Sequence, residues 1–180
     1  MPFAAWSSDG DHSGHNHDAA TVQHGDIIIK GAWTRQTPPG AKVGGGYLTI
    51  TNEGQTADRL TGGAAAFAAS VEIHEMSVND GVMKMAELAD GLEIEPGQTV
   101  VLKPGGFHIM FMGLSEIPME GDTVNVTLTF ANAGEVSLNM PVAAIGATSL
   151  DGKANAHGGH NHSHGDHTHD HDHDHGTESN

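Results

Sequence analysis

Between Asp26 and Ile145 the chain is cut into short apolar or β-branched runs, each ended by turn-forming residues. The runs are DIIIKGAWTR, GGYLTITN, SVEIHEMSV, GVMKMAEL, TVVL, FHIMFMGL, TVNVTLTF and EVSLNMPVA. They alternate apolar with polar side chains or are rich in Val, Ile and Thr, the pattern of half-buried strands. TPPGAKVGG, NDG, EPGQ, KPGG, EGD and NAGE separate them, and their Gly, Pro, Asn and Asp supply turn dihedrals that strands do not use. Helical spacing is scarce, and AAAFAAS is too short and too glycine-flanked to carry a long helix. Roughly six to eight short strands joined in this way predict an all-β fold, a Greek-key sandwich or barrel.

A chain of 180 residues suits one core of roughly 100–150 residues with appendages. Residues 1–24 hold His12, His15, His17 and His24 among Gly, Ser and Asp, and are expected to form a flexible arm. Residues 25–148 are expected to form the folded domain. Residues 149–180 are expected to be a disordered, metal-binding tail, because no large apolar side chain follows Asp151 and no core can be packed from such a composition.

Seven Lys and Arg face 23 Asp and Glu, for a formal charge of −16. That balance argues against nucleic acid and against an anionic membrane surface, both of which need basic patches; a cationic ligand fits better. The chain has no cysteine, which removes disulfides, thiolate metal sites and cysteine nucleophiles together. No run of about 18 apolar residues exists to span a bilayer. The opening MPFAAWSSDGDHSGHNHD has neither a basic n-region nor an apolar h-region, so it is not an intact secretory signal; either the protein is cytosolic or a signal ahead of it has been trimmed, and the family resemblance described below implies the second. No Ser/His/Asp arrangement or phosphate-cradling loop is found in a strand-to-helix context, and the chain is not expected to be an enzyme.

Five of the eight methionines fall in two stretches, VEIHEMSVNDGVMKM from Val71 to Met85 and FHIMFM from Phe107 to Met112. His74 and His108 are the only histidines between Ile27 and Ile145, and each is in phase with methionines. Strand alternation puts Glu72, His74 and Met76 on one face, and His108, Met110 and Met112 on one face of a second strand. The tight NDG turn brings Met83 and Met85 beside the His74 strand. Thioether sulfur is soft and has no proton to lose, so with imidazole it suits Cu(I) and serves zinc, calcium or magnesium badly. Methionine also fills gaps in cores; Met119 and Met140 are expected to do only that, and Met112 is open between packing and ligation.

These residues resemble the signature of the periplasmic copper chaperones called PCuAC. That signature has a His and a Met separated by ten residues, as His74 and Met85 are here, then a His-x-Met after a spacer one residue shorter than the one before His108. The extra residue fits in the loop LADGLEIEPGQ. GAWTR, GGYLTITN, VEIHEM, GVMKM and LKPGGFHIMFMGL are also similar to the family, so the likeness spans the central zone. The resemblance implies a cupredoxin-like β-sandwich that holds Cu(I) through His74, Met85, His108 and Met110, with Met76 as a nearby alternate ligand. It further implies periplasmic residence and delivery of copper to the CuA centre of cytochrome c oxidase subunit II, with a Sco-type thiol protein as a second partner. The chaperone is expected to be a monomer.

The tail carries nine histidines, His157, His160, His162, His164, His167, His169, His171, His173 and His175. Imidazole with carboxylate suits Cu(II), Zn(II) or Ni(II), and the tail is expected to capture Cu(II). A blue-copper electron carrier is excluded by the absent cysteine thiolate, and a copper redox enzyme would want more core histidines. The rival function is a periplasmic metal buffer or resistance protein whose tail sequesters Cu, Zn or Ni.

Overall fold

The computed structural model of the chain describes residues 20–150. Eleven strands make up its regular structure: β1 (Val22–His24), β2 (Ile27–Arg35), β3 (Val43–Asn52), β4 (Asp58–Ala65), β5 (Ser70–Asn79), β6 (Val82–Glu87), β7 (Leu92–Ile94), β8 (Thr99–Leu102), β9 (Phe107–Met112), β10 (Thr123–Phe130) and β11 (Gly134–Ala143). The ladder runs β1-β2-β11-β10-β4-β5-β9-β3-β8, and β2 also pairs with β3. That last pairing closes the path from β2 round to β3, so the sheet curls into a barrel and its inner face becomes the core. Four strands hang off the closed path, β1 on β2, β8 on β3, β6 on β5 and β7 on β4.

Every run expected to be extended is a strand. β1, β4 and β7 were not anticipated. β4 reads DRLTGGAA, a composition poor in β-branched residues, and it holds its place through close backbone approach. A Cβ on Gly63 would run into the Thr127 carbonyl of β10, so the glycine permits the β4–β10 pairing. Val22–His24, read from the sequence as the end of the flexible arm, pairs antiparallel with Ile27–Ile29 because the intervening Gly25 adopts the left-handed turn conformation (φ 58°). Gly44 and Gly45 of TPPGAKVGG lie inside β3, whereas Gly40 makes the turn before it (φ 82°). Most ladders are antiparallel, but β11 runs parallel to β2, with Val142 opposite Thr34.

The main core gathers Ile29, Ile50, Leu60, Ile94, Ile109, Phe111, Val126, Leu128 and Met140, all fully buried. Phe67, from the AAAFAAS stretch, stacks on Phe111 at 5.0 Å between centroids. Met140 packs there as expected, whereas Met119 is exposed on the β9–β10 connection, where its N–H binds the Asp122 carboxylate. The β2–β3 register shifts between Lys30 and Trp33, around Gly31 at φ 62°. Such a bulge moves subsequent side chains to the opposite face. Ile27, Ile29 and then Ala32 therefore enter the main core, while Trp33 joins a second cluster with Tyr47, Ala143 and Ala147, against which Leu150 packs.

Candidate metal centre

The β5–β6 hairpin fixes the first half of the site. Its two loop residues, Asp80 and Gly81, both have positive φ, at 52° and 78°, as the two-residue turn favoured by strand twist requires. Asn79 then pairs with Val82, and counting back along the ladder sets Met76 opposite Met85 and His74 opposite Glu87. On the other side of β5, His74 pairs with His108, Glu72 with Met110 and Ser70 with Met112. Directly opposed residues point to the same face. Glu72, His74, Met76, Met85, His108 and Met110 accordingly share one surface, while Val71, Ile73, Ile109 and Phe111 of the same strands are buried in the core.

The two imidazoles meet on that surface. Their centroids lie 6.0 Å apart with the planes inclined at 41°. An ion about 2 Å from one nitrogen of each ring fits between them at that separation. Each ring has one nitrogen already engaged. His108 Nδ1 lies 2.9 Å from the Gly106 carbonyl, which can only accept, so Nδ1 carries the proton and Nε2 presents its lone pair. In His74 the engaged atom is Nε2, 2.9 Å from Glu72 Oε2. His74 Nδ1 is buried without a hydrogen-bond partner, a state that native structures rarely leave unexplained. His108 itself is only 6% exposed. Hydrogen bonds from His74 and from Ser70 hold the Glu72 carboxyl below the usual carboxylate range.

A cleft of about 430 Å³ opens over these groups, with Met76, Met85, His108 and Met110 along one side and Arg35, Thr37, Tyr47 and Ile145 among the residues of the other. His74 does not line this cleft; it reaches the site through its contact with His108. β6 is exposed along its whole length, and Met85 is 51% exposed, so the thioethers are open to an approaching molecule. The opposite bank is built on Tyr47, which stacks on Trp33 at 4.5 Å and lies under the Arg35 guanidinium at 5.5 Å. Arg35 also donates to the Ala147 carbonyl (3.2 Å). Burial pushes the Tyr47 phenol up from its ordinary value, opposed by the Arg35 charge. Gly45, the β3 partner of Met110, is a glycine for a steric reason: a Cβ there would stand 2.6 Å from the Tyr47 hydroxyl.

Among the described residues no three His, Cys, Asp or Glu side chains gather to hold a metal ion; the other soft donors beside His108 along the cleft are the thioethers of Met76, Met85 and Met110. The structure brings His74 against His108, and Met76, Met85, His108 and Met110 around one cleft. Met112 sits farther along β9, opposite Ser70 and Val43, and does not line the cleft. The nine tail histidines, with His12, His15 and His17, lie outside the described residues. His24 lines a different, polar hollow with Asp26, Asp58 and Asn132, where Asp58 is occupied in capping the Asn132 and Ala133 N–H groups. Sequence reasoning missed Glu72 and Tyr47. Glu72 was within reach, since it lies two residues before His74 on the same strand face; the packing of Tyr47 across Gly45 has no local signature.

Comparison with known proteins gives a family and a fold. A family profile described as "Putative lipoprotein LpqE-like" matches residues 27–142. A protein of Leifsonia xyli subsp. xyli, named as a putative lipoprotein, is 31% identical over 117 residues, covering 64% of this chain and 69% of that one. Among solved structures, the copper-bound PCuAC domain from PmoF2 superposes with a TM-score of 0.60 at 27% identity, covering 69% of this chain and 98% of that domain. The apo PmoF2 PCuAC domain gives a TM-score of 0.61 at 26% identity, with 72% and 99% covered. The chain thus belongs to the LpqE-like family, and its barrel is the cupredoxin-like fold of PCuAC domains.

Proposed function

We propose that this protein is an extracytoplasmic copper chaperone that takes Cu(I) as cargo through His74, Met85, His108 and Met110, with Met76 as an exchangeable neighbour. The observation that carries this reading is the pairing of two imidazoles on the face of β5 and β9 away from the core, each with one nitrogen free, beside a cleft rimmed by thioethers. Two neutral nitrogens and two soft sulfurs favour the cuprous ion over harder divalent metals. The copper bound by a PCuAC domain of the same fold and the lipoprotein naming of the family support cargo and compartment. Within the periplasm, delivery goes to the CuA centre of cytochrome c oxidase subunit II, with a Sco-type thiol protein as a second partner. Anaerobic Cu(I) titration of protein ending at Leu150, read by X-ray absorption, tests the site: two sulfur and two nitrogen neighbours are expected, and an all-nitrogen shell would refute it.

The tail captures Cu(II) in this reading, and a tether raises the concentration of captured metal near the core site. Its root supports the idea. Leu150 packs against the cluster containing Tyr47, which lines the cleft together with Ile145 and Gly146. The first tail histidine, His157, follows seven residues later, a length that spans up to about 25 Å. Passage from tail to core consumes one electron per copper, drawn from an external thiol reductant. Tail binding weakens as pH falls through about 6.5, where free imidazole protonates, whereas the thioethers have no proton to take up. The nine tail histidines also favour a second reading, a metal buffer. Deletion of the protein separates the two: lost oxidase activity at low copper indicates delivery, and sensitivity only at high metal indicates buffering.

A further inference from the structure

Glu72 is not among the groups expected to touch copper, yet it makes a direct hydrogen bond to the ring of one of the two histidines. Its Oε2 lies 2.9 Å from His74 Nε2, and its other oxygen, Oε1, accepts from the Ser70 hydroxyl at 3.0 Å. Ser70, Glu72 and His74 occur at alternate positions of β5, so one strand face carries the whole chain of contacts. An ionised carboxylate can only accept, so the proton in the Glu72–His74 bond belongs to Nε2 of the imidazole. A neutral ring then has its lone pair on Nδ1. That atom is the one buried without a partner, in the ring whose centroid lies 6.0 Å from that of His108. On His108 the order is reversed, because the Gly106 carbonyl takes Nδ1.

We propose that Glu72 is a positioning residue that fixes the tautomer and tilt of His74, so that copper is taken through Nδ1 of His74 and Nε2 of His108. This inference rests on the copper reading above and assigns the two nitrogens unequal roles. A carboxylate behind a ligating imidazole fixes the ring and raises its basicity, and the loss of such a partner commonly weakens metal binding about 10- to 100-fold. The mixed pair also has a geometric consequence. Nδ1 is the ring atom nearer the backbone, so His74 holds the ion close to β5, while His108 reaches it with its outer nitrogen. The two thioethers complete the shell from the cleft side.

The test uses the full chain, Cu(I) alone under anaerobic conditions, and long-range ¹H–¹⁵N correlation of the histidine rings, with His74 identified by its absence in His74→Ala. In apo protein His74 should show a protonated Nε2 and an unprotonated Nδ1, and one equivalent of Cu(I) should shift Nδ1. Chelator competition on Glu72→Ala should give a Cu(I) affinity about 10- to 100-fold weaker, and Glu72→Gln, which keeps an acceptor oxygen, should recover part of it. Nε2 ligation of His74, or an unchanged affinity in Glu72→Ala, overturns the role of Glu72 while leaving the copper site standing. The wild-type ring shifts decide the matter even if Glu72→Ala does not fold. A wild-type protein in which Cu(I) shifts neither nitrogen of His74 overturns the inference and the copper reading together.

Discussion

His74 and His108 stand directly opposite each other on β5 and β9, with ring centroids 6.0 Å apart and one nitrogen of each held by a fixed acceptor. The pairing is a product of register. A one-residue slip in either strand would send one imidazole into the core face, where Ile73 and Ile109 now sit fully or nearly fully buried. Those apolar partners lock the histidines in place more firmly than any contact between the rings.

The thioethers can be removed without disturbing that frame. Leu replaces Met at nearly constant volume, and such exchanges usually cost less than about 1.5 kcal/mol. Met85 is half exposed and Met110 lines the cleft, so neither supports the core. Met85→Leu and Met110→Leu should each weaken Cu(I) binding by more than about tenfold, equivalent to about 1.4 kcal/mol, with little movement of the melting midpoint. Chelator competition beside thermal circular dichroism checks this, and an affinity equal to wild type in both variants would remove sulfur from the site.

Much of this arrangement was legible in the sequence, because period-two alternation is a local property. Val71 and Ile73 were readable as inward-facing, and Glu72, His74 and Met76 as sharing the other face, without knowing which strand lies beside them. The Asn79–Asp80–Gly81 turn likewise specifies its own hairpin. What could not be read was long-range. β4 is hidden by its glycines, whose use is close approach to Thr127, and the parallel β2–β11 contact has no sequence mark. The far bank of the cleft depends on the bulge at Gly31, which turns Trp33 away from the main core and toward Tyr47.

Gly45 should tolerate no side chain. Alanine would place its Cβ 2.6 Å from the Tyr47 hydroxyl and 3.1 Å from the adjoining ring carbon, so the tyrosine must leave its stack on Trp33 or β3 must move. Overpacking of this kind costs about 1–3 kcal/mol. Gly45→Ala is expected to lower the unfolding free energy from urea titration by that amount, seen as a lower midpoint at unchanged slope, and adding Tyr47→Phe should restore part of the loss. Full stability in Gly45→Ala would show that the Tyr47 ring is free to swing into the cleft.

Tyr47 also sets an alkaline limit. Burial raises the pKa of its phenol above the ordinary 10.0, with the Arg35 charge acting in the opposite direction. For a group whose folded pKa exceeds its unfolded value, the stabilising contribution is complete below the unfolded pKa and disappears as pH rises through the folded one. Stability of the apo protein should therefore begin to fall near pH 10 and continue downward above it. Tyr47→Phe removes the ionisable group, so its denaturation midpoint should change less over the same range. Parallel curves for the two proteins would place the alkaline loss elsewhere.

Two truncations separate the tail from the structure it grows from. Trp33, Tyr47, Ala143 and Ala147 form their own buried cluster, closed by Leu150, and the Arg35 guanidinium holds the Ala147 carbonyl. A chain ending at Leu150 keeps all of these contacts, so its melting midpoint should match that of the full chain while most of its Cu(II) capacity at neutral pH is lost. A chain ending at Ala144 loses Ile145 from the cleft wall and uncovers the Trp33–Tyr47 pair. Exposing apolar area of this size destabilises by roughly 25 cal/mol per Å², so the midpoint of this second truncation should fall and its tyrosine should become accessible to solvent quenchers. Equal stability of the two would mean that the bank of the cleft stands without the residues after β11; unchanged Cu(II) stoichiometry in the first would mean that the tail does not capture metal.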